Sequence, residues 1–210
     1  GSAVLNTPSF LAACTTYLKK NNALLTTTFD FKDLTVLDKS VQYRDISADL
    51  IVFCEGYKVL KNPYFKDLDF RLSKGDVLTL DIPDLPQKFI LNKDKWLAPF
   101  NSHFRLGATY EWNTLDCVPD PKGRKELEQI LNNLLKLNYT VKNHEAGVRT
   151  ASKDIRPVIG LHPDYDNVSI FNGFSSKGVM TIPYCANIFT KYIQNPNNEI
   201  PAEINCKRLF

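Results

Sequence analysis

A short, continuous apolar run is the feature that most constrains the fold of this chain. Residues Ala48–Gly56 have the sequence ADLIVFCEG, and a run of this length closed by glycine is typical of a strand buried on both faces. Strands of that kind lie inside parallel or mixed sheets, whose two faces are both covered. Val168–Phe171 is expected to form another buried strand. The sequence therefore predicts a layered sheet portion.

The middle of the chain has a different sequence pattern. Between Phe70 and Trp112 the sequence alternates or is rich in aromatic residues, which predicts antiparallel strands at 76–82, 87–91, 95–98 and 103–112. A helix is expected at about 120–137, because Asp120 can cap it, Pro121 suits its first position and apolar residues recur at helical spacing.

Two further helices are expected near the ends of the chain. One helix is expected at 7–20, with Thr7 as a possible cap. Its apolar residues share one face of the helix: Phe10, Leu11, Cys14, Tyr17 and Leu18. Residues 179–194 form the other helix. Short strands are expected at 23–28, 34–37 and 41–43. The polar residues 195–210 are expected to be a tail laid across the surface.

Charge and cysteine content limit the function classes. The 26 basic and 23 acidic residues give a net charge of +3, which does not favour a nucleic-acid or membrane-surface protein. No apolar run reaches the ~18 residues of a membrane span, and the start does not resemble a signal peptide. Five cysteines without a C-x-x-C pair predict reduced thiols in a cytoplasmic setting and no metal site. Cys14 and Cys54 are expected to be buried.

Three groups of residues are candidates for function, and each has a structural alternative. The loop 172–178 between a strand and a helix can present N–H groups to a phosphate or a cofactor ring, or it can be a plain tight turn. Arg149 can bind a carboxylate with two guanidinium nitrogens, or it can form a surface salt bridge. Tyr110 and Trp112 can line a pocket, or they can be ordinary core and rim aromatics. No residue is assigned as catalytic.

Four segments, taken together and in this order, resemble a known family. They are Ala48–Gly56 (ADLIVFCEG), Leu106–Trp112 (LGATYEW), Gly147–Gly160 (GVRTASKDIRPVIG) and Asn167–Pro183 (NVSIFNGFSSKGVMTIP). The chain resembles the FAD-dependent oxidoreductases that include D-amino-acid oxidase, glycine oxidase and sarcosine oxidase. The resemblance implies hydride transfer from a C–N bond of an amine or amino acid to FAD, followed by hydrolysis of the imine.

The resemblance also implies roles for individual residues. Arg149 matches the arginine that binds the substrate carboxylate, although Thr150 stands where the family usually has proline. The implied substrate is a small amine that bears a carboxylate, with Tyr110 and Trp112 as further candidates for contact with it. The residues implied to lie at the flavin are Cys54, Glu55, Gly56, Gly173, Phe174, Ser175, Ser176, Lys177, Gly178 and Val179.

One departure from the family shapes the overall expectation. The G-x-G-x-x-G loop for the FAD pyrophosphate has no counterpart here, because no two of the nine glycines are two residues apart. We therefore expect a C-terminal portion of such an enzyme, with an α+β fold: an antiparallel substrate-binding sheet with a packed helix, beside an incomplete α/β portion of the FAD domain. The expected division is FAD-domain elements in 3–60 and 148–194, a substrate-binding domain in 61–147, and the tail.

FAD would then belong to the complete enzyme, and this chain by itself would bind none tightly and be inactive. A missing FAD-binding segment or a partner chain would complete the site. Two alternatives remain open at this point: a non-catalytic binding module, and a subunit whose partner chain supplies the FAD domain. Neither a nucleic acid nor a membrane is expected as a partner.

Overall fold

The computed structural model describes residues 3–195 and 197–210. Its helices and strands are, in chain order, α1 (Thr7–Lys20), β1 (Leu34–Val36), β2 (Val41–Tyr43), β3 (Ile46–Ala48), β4 (Ile51–Phe53), β5 (Phe70–Asp81), β6 (Leu91–Lys93), β7 (Lys95–Phe100), β8 (His103–Gly107), α2 (Pro121–Leu134), β9 (Thr140–Ser152), β10 (Val158–Leu161), β11 (Val168–Asn172) and α3 (Gly178–Gln194). Short 3-10 helices lie at Phe31–Asp33, Gly56–Lys61, Ser175–Lys177 and Cys206–Leu209.

The chain forms two compact units. Unit 1 comprises Gly1–Thr27 and Ser73–Val148, and unit 2 comprises Thr28–Leu72 and Arg149–Phe210. Two of the boundaries between the units fall within long strands, β5 and β9. A division by compactness does not test a division by function, so the domain boundaries expected from the sequence stay predictions.

Unit 1 is built on a five-stranded sheet in the order β6-β7-β8-β5-β9. Its first three pairings, from β6 across to β5, are antiparallel. The helix α2 packs against this sheet through Leu127 and Leu131, which are fully buried among apolar residues in or next to its strands: Leu78, Leu80, Ile82, Leu97, Phe104 and Leu106. The cap is Asp120, whose side chain accepts a hydrogen bond from the N–H of Lys122. The predicted antiparallel sheet with a packed helix is confirmed.

Unit 2 contains a mixed sheet in the order β10-β11-β4. The pair β10–β11 is antiparallel and the pair β11–β4 is parallel, with Phe53 opposite Ile170. The helix α3 buries Cys185 and Phe189 against Ile159, which lies in β10. A separate antiparallel sheet of β1, β2 and β3 completes the strands of this unit. The α+β class expected from the sequence is confirmed.

Several local predictions are wrong. Residues 23–28 and 87–90 are not strands, and β8 ends at Gly107 rather than Trp112. The strand in the apolar run 48–56 is only β4, which is an edge strand among the described residues rather than an interior one. An apolar run indicates burial, but it does not show how many of its residues pair with a neighbouring strand.

The two ends of the chain also differ from expectation. The helix α1 has the predicted bounds, but its cap is Asn6 instead of Thr7 and it buries no residue. Its apolar face is therefore exposed in part, Cys14 is half-buried, and Cys54 is exposed. The predicted surface tail instead buries three apolar residues, namely Ile200, Ile204 and Cys206. Helical spacing predicts a face but not the surface that covers it.

Membrane and metal features can be stated for the described residues. None of their helices has the length and hydropathy needed to cross a bilayer. In the same part of the chain, no cluster of three or more His, Cys, Asp or Glu side chains could hold a metal ion. The five cysteines are free thiols.

Candidate functional site

In unit 2, the ends of two neighbouring strands bring the predicted flavin residues together. The parallel pair β4 and β11 ends at Phe53 and Asn172, and the side-chain amide of Asn172 donates a hydrogen bond to the backbone oxygen of Gly56 at 2.9 Å. This bond joins the 54–56 segment to the start of the 172–178 loop. Gly56 and Gly173 have φ angles of +57° and +77°, a backbone region that glycine adopts without steric cost.

The 172–178 loop is held mainly by its own backbone. The N–H of Gly173 donates to the side-chain oxygen of Asn172 at 2.8 Å, and the N–H of Lys177 donates to the backbone oxygen of Phe174 at 3.1 Å. Phe174 also forms a bridge with the backbone of Ala151, and its ring packs on Phe171 with a centroid distance of 4.7 Å. The loop is thus fixed to two strands of unit 2.

The first turn of α3 opens directly from this loop. No side chain caps it, and it contains no acidic residue. The N–H groups of a first helical turn lack partners within the helix, and the helix dipole makes that end positive. A cavity of about 110 Å³ lies beside the loop, and its lining includes Ser175, Ser176 and Thr181. The arrangement suits an electron-rich edge of a planar group better than it suits a cation.

Two polar groups near this loop bear on the fit of a flavin. The hydroxyl of Thr150 is buried and has no hydrogen-bond partner among the described residues, and Thr150 precedes the residue that pairs with Phe174. Glu55 is half-buried, which raises the pKa of its carboxyl, while the side-chain amide of Asn62 donates to it at 2.6 Å. Buried polar atoms without a partner call for a missing ligand or water. The chemistry of these groups, with the N–H groups of the first turn of α3, suits the polar edge of a flavin ring, and the flavin contacts themselves stay a prediction.

Arg149 lies in unit 2, at the last part of β9, and is half-buried. It is two residues from Ala151, whose backbone pairs with the flavin-loop residue Phe174. The strand thus places the arginine within the same unit as the 172–178 loop. Its predicted role in binding a carboxylate stays a prediction.

Tyr110 and Trp112 lie in unit 1, where their rings stack with a centroid distance of 6.0 Å and an angle of 20°. They are 48% and 63% exposed, so neither is a core residue. The ammonium group of Lys95 lies 5.6 Å from the centre of the Tyr110 ring, within the range of a cation–π contact. The structure thus shows an exposed aromatic pair at this end of the sheet.

Sequence reasoning missed a buried charged network in unit 1. Asp76 and Lys74 are 1% and 2% exposed, although both lie in the strand β5. Asp76 contacts Nε2 of His144 at 2.8 Å. The available signal was the alternation itself, because Lys74 and Asp76 share the strand face of Leu78 and Leu80.

Comparisons with known proteins identify the family of the chain. The family model for FAD-dependent oxidoreductases of the DAO type matches residues 1–192. Glycine oxidase from Bacillus subtilis is 26% identical over 159 residues, which is 72% of this chain and 42% of that protein. The tRNA 5-methylaminomethyl-2-thiouridine biosynthesis bifunctional protein MnmC from Legionella pneumophila is 21% identical over 192 residues, 76% of this chain and 29% of that protein.

Solved structures show the same fold. Iminodiacetate oxidase from Chelativorans sp. superimposes with a TM-score of 0.73 at 21% identity, over 92% of this chain and 56% of that one. Glycine oxidase from Bacillus cereus gives a TM-score of 0.67 at 15% identity, over 81% of this chain and 50% of that one. The chain therefore spans less than half the length of the curated relatives and about half of these structures. Because the family model covers residues 1–192 of 210, the chain belongs to the DAO family of FAD-dependent oxidoreductases.

Proposed function

We propose that this chain supplies the substrate-binding sheet and the flavin-facing loop of an enzyme that oxidises the C–N bond of an amino acid or related amine. The observation that supports the proposal is the succession of β11, the 172–178 loop and α3. Together they place an uncapped helix N-terminus next to a glycine turn. FAD, when bound, would supply the acceptor for the hydride that leaves the carbon bearing the amine nitrogen.

Each candidate residue has a distinct role in this proposal. The N–H groups at the start of α3, together with the positive end of its dipole, would stabilise negative charge at the edge of the reduced ring. Arg149 would bind and orient the substrate carboxylate. Tyr110 and Trp112 would contact the apolar part of the substrate. No side chain is assigned as an acid or base.

The names of the relatives narrow the proposed substrate. Glycine oxidase and iminodiacetate oxidase are named for compounds in which an amine and a carboxylate are close together. The relative named for tRNA biosynthesis suggests a nucleic acid instead. The net charge of +3 does not favour binding to the phosphates of a tRNA. We therefore propose a small amine with a carboxylate.

Flavin titration tests the cofactor part of the proposal. The purified chain by itself should not bind FAD with a sub-micromolar dissociation constant, because no G-x-G-x-x-G loop is present for the pyrophosphate. The measurement is the shift of the flavin absorbance and the quenching of its fluorescence. Tight binding by the isolated chain would contradict the proposed division of the site.

Removal of the Arg149 guanidinium tests the substrate part. In a form that holds FAD and turns over an amino acid, Arg149→Ala should raise KM about a hundredfold, since losing a paired carboxylate contact costs roughly 3 kcal/mol. The control is Arg124→Ala, which removes an exposed arginine paired with Glu128 on α2. If the KM of Arg149→Ala equals that of the control, Arg149 does not bind the substrate.

A further inference from the structure

The segment 108–120 of unit 1 is irregular in structure but carries the exposed aromatic pair. It runs from the end of β8 to the start of α2. Along it lie four large exposed apolar side chains: Tyr110, Trp112, Leu115 and Val118. An irregular segment with an apolar surface needs a specific set of contacts to keep one conformation.

Asp76 contacts both ends of the 108–120 segment. Its Oδ2 accepts a hydrogen bond from the hydroxyl of Thr109 at 3.1 Å, and its own N–H donates to that hydroxyl at 2.8 Å. Its Oδ1 accepts from the backbone N–H of Asp120 at 2.8 Å and from Nε2 of His144 at 2.8 Å. One buried carboxylate therefore joins the beginning and the end of the segment to β5 and β9.

Lys74 secures the middle of the same segment. Its ammonium donates to Asp116 at 2.6 Å, and this hydrogen bond raises the pKa of Lys74, which keeps the buried group charged. The backbones of Lys74 and Glu111 exchange hydrogen bonds of 2.8 and 3.0 Å. Because side chains alternate along an extended chain, holding residues 109 and 111 on one side turns Tyr110 and Trp112 to the other.

Buried charged groups such as these are weak evidence of a stabilising role. Burying a charged group costs several kcal/mol, and well-packed apolar residues in the same place are often at least as stable. The charged groups give the segment a defined geometry, because each hydrogen bond requires one particular donor and one particular acceptor. Gly123 of α2 leaves the room that the carboxylate needs, because a Cβ there would lie 2.5 Å from Oδ2 of Asp76.

We propose that Asp76 is a positioning residue for substrate recognition: through Thr109 it fixes the orientation of the Tyr110–Trp112 pair. This inference rests on the proposed function, which makes the aromatic pair a substrate contact. Asp76 itself touches neither substrate nor cofactor in this account. It acts by holding the segment that does.

Trp112 gives a direct spectroscopic test. The chain has two tryptophans, so Trp96→Phe leaves Trp112 as the only one. In that background, Asp76→Asn should lower the near-ultraviolet circular dichroism of the Tyr110–Trp112 stack about twofold and reduce the fluorescence anisotropy of Trp112. The matched control is Asp81→Asn on the same strand, where the carboxylate is partly exposed and lies 3.6 Å from Lys142. The control should leave both signals unchanged.

Variants of Thr109 keep the test valid if Asp76→Asn does not fold. Thr109→Val keeps the size of the side chain and removes the hydroxyl that Asp76 contacts, so it should give the same spectroscopic change. Thr109→Ser keeps the hydroxyl and should restore the wild-type signals. If folded Thr109→Val has unchanged dichroism and anisotropy, Asp76 does not position the aromatic pair.

Kinetics separate this inference from the proposed function. In a form that holds FAD and turns over an amino acid, Asp76→Asn should raise KM about fivefold with a smaller change in kcat. Altered Trp112 signals with an unchanged KM would overturn the inference, because the oriented pair would then not contact the substrate. The proposed function would still stand in that case if Arg149→Ala raised KM. If Arg149→Ala had no effect, the proposed function itself would fail.

Discussion

The 108–120 segment of unit 1 and the 172–178 loop of unit 2 are held in opposite ways. Buried charged side chains, Asp76 and Lys74, fix the first, together with a pair of backbone hydrogen bonds between Lys74 and Glu111. Backbone hydrogen bonds, a positive-φ glycine and one asparagine fix the second. The N–H groups of Gly173 and Lys177 are engaged within the loop, so the N–H groups left for a ligand are those of the uncapped first turn of α3. The segment held by buried side chains instead presents its other side chains, Tyr110 and Trp112, to solvent. The difference matches the roles proposed for the two regions.

The largest expected effect comes from crowding the charged network. In Gly123→Ala the new Cβ would lie 2.5 Å from Oδ2 of Asp76, a carboxylate that three contacts prevent from moving away. We expect a loss of about 2–3 kcal/mol in the free energy of unfolding, even though alanine favours helices. Urea unfolding followed by circular dichroism measures it.

A second substitution on the same helix serves as the control. Asn132→Ala changes an exposed residue of α2, so the propensity gain should make it neutral or slightly stabilising. Equal stabilities for Gly123→Ala and Asn132→Ala would show that the network is not as rigid as the contacts indicate.

A smaller effect is expected from the backbone-held loop. Gly173→Ala places a side chain at a φ of +77°, and its Cβ would lie 3.0 Å from a methyl group of Val158. The left-handed region costs a residue with a Cβ roughly 1–2 kcal/mol, and we expect a loss of that size. The change in melting temperature or in the urea midpoint measures it.

Gly147→Ala is the matched control for this loop. Gly147 lies in β9, its Cβ would meet nothing within 4 Å, and its φ is not in the positive region. Alanine should be neutral or stabilising there. A comparable loss at both positions would mean that Gly173 is replaced by alanine without strain, and the backbone account of the loop would then be wrong.

The same contrast explains how much the sequence could predict. The glycine loop could be picked out as a candidate because its residues are contiguous between an apolar strand and a helix, although the sequence alone left a plain tight turn open. The sequence identifies Tyr110 and Trp112 as candidates, but it does not show which residues hold them in place. Lys74 and Asp76 are far from Thr109 and from His144 in the chain, and the fold of the sheet is what brings them together.

The wrong predictions of burial near the two ends of the chain have a related cause. The face of α1 follows helical spacing, but spacing does not say what covers the face, and no residue of α1 is buried. The last residues look polar on average, while Ile200, Ile204 and Cys206 are buried individually. Composition describes a segment as a whole, whereas burial is decided side chain by side chain.

The smallest effect is expected from a charged contact of unit 2 that, unlike Asp76, is partly exposed. Both nitrogens of the Arg208 fork donate to Asp154, at 2.9 and 3.0 Å, and these hydrogen bonds hold the pKa of the Asp154 carboxyl well below its usual range. Since the Asp154 side chain is 37% exposed, solvent screening limits the contribution to about 1 kcal/mol. Asp154→Asn should lower the free energy of unfolding by that amount at pH 7.

The stabilising effect of the Arg208–Asp154 contact should depend on pH in a definite direction. A carboxyl with a lowered pKa in the native state binds fewer protons there than in the unfolded chain, so its stabilising contribution is complete above the unfolded pKa of about 3.9 and is lost as the pH falls below it. The difference between wild type and Asp154→Asn should therefore be largest near pH 7 and shrink towards pH 3. The control is Asp69→Asn, whose partner Lys153 is 3.7 Å away with both side chains mostly exposed, and it should show little difference at either pH. A difference for Asp154→Asn that stays constant from pH 7 to pH 3 would mean that the fork acts through packing rather than charge.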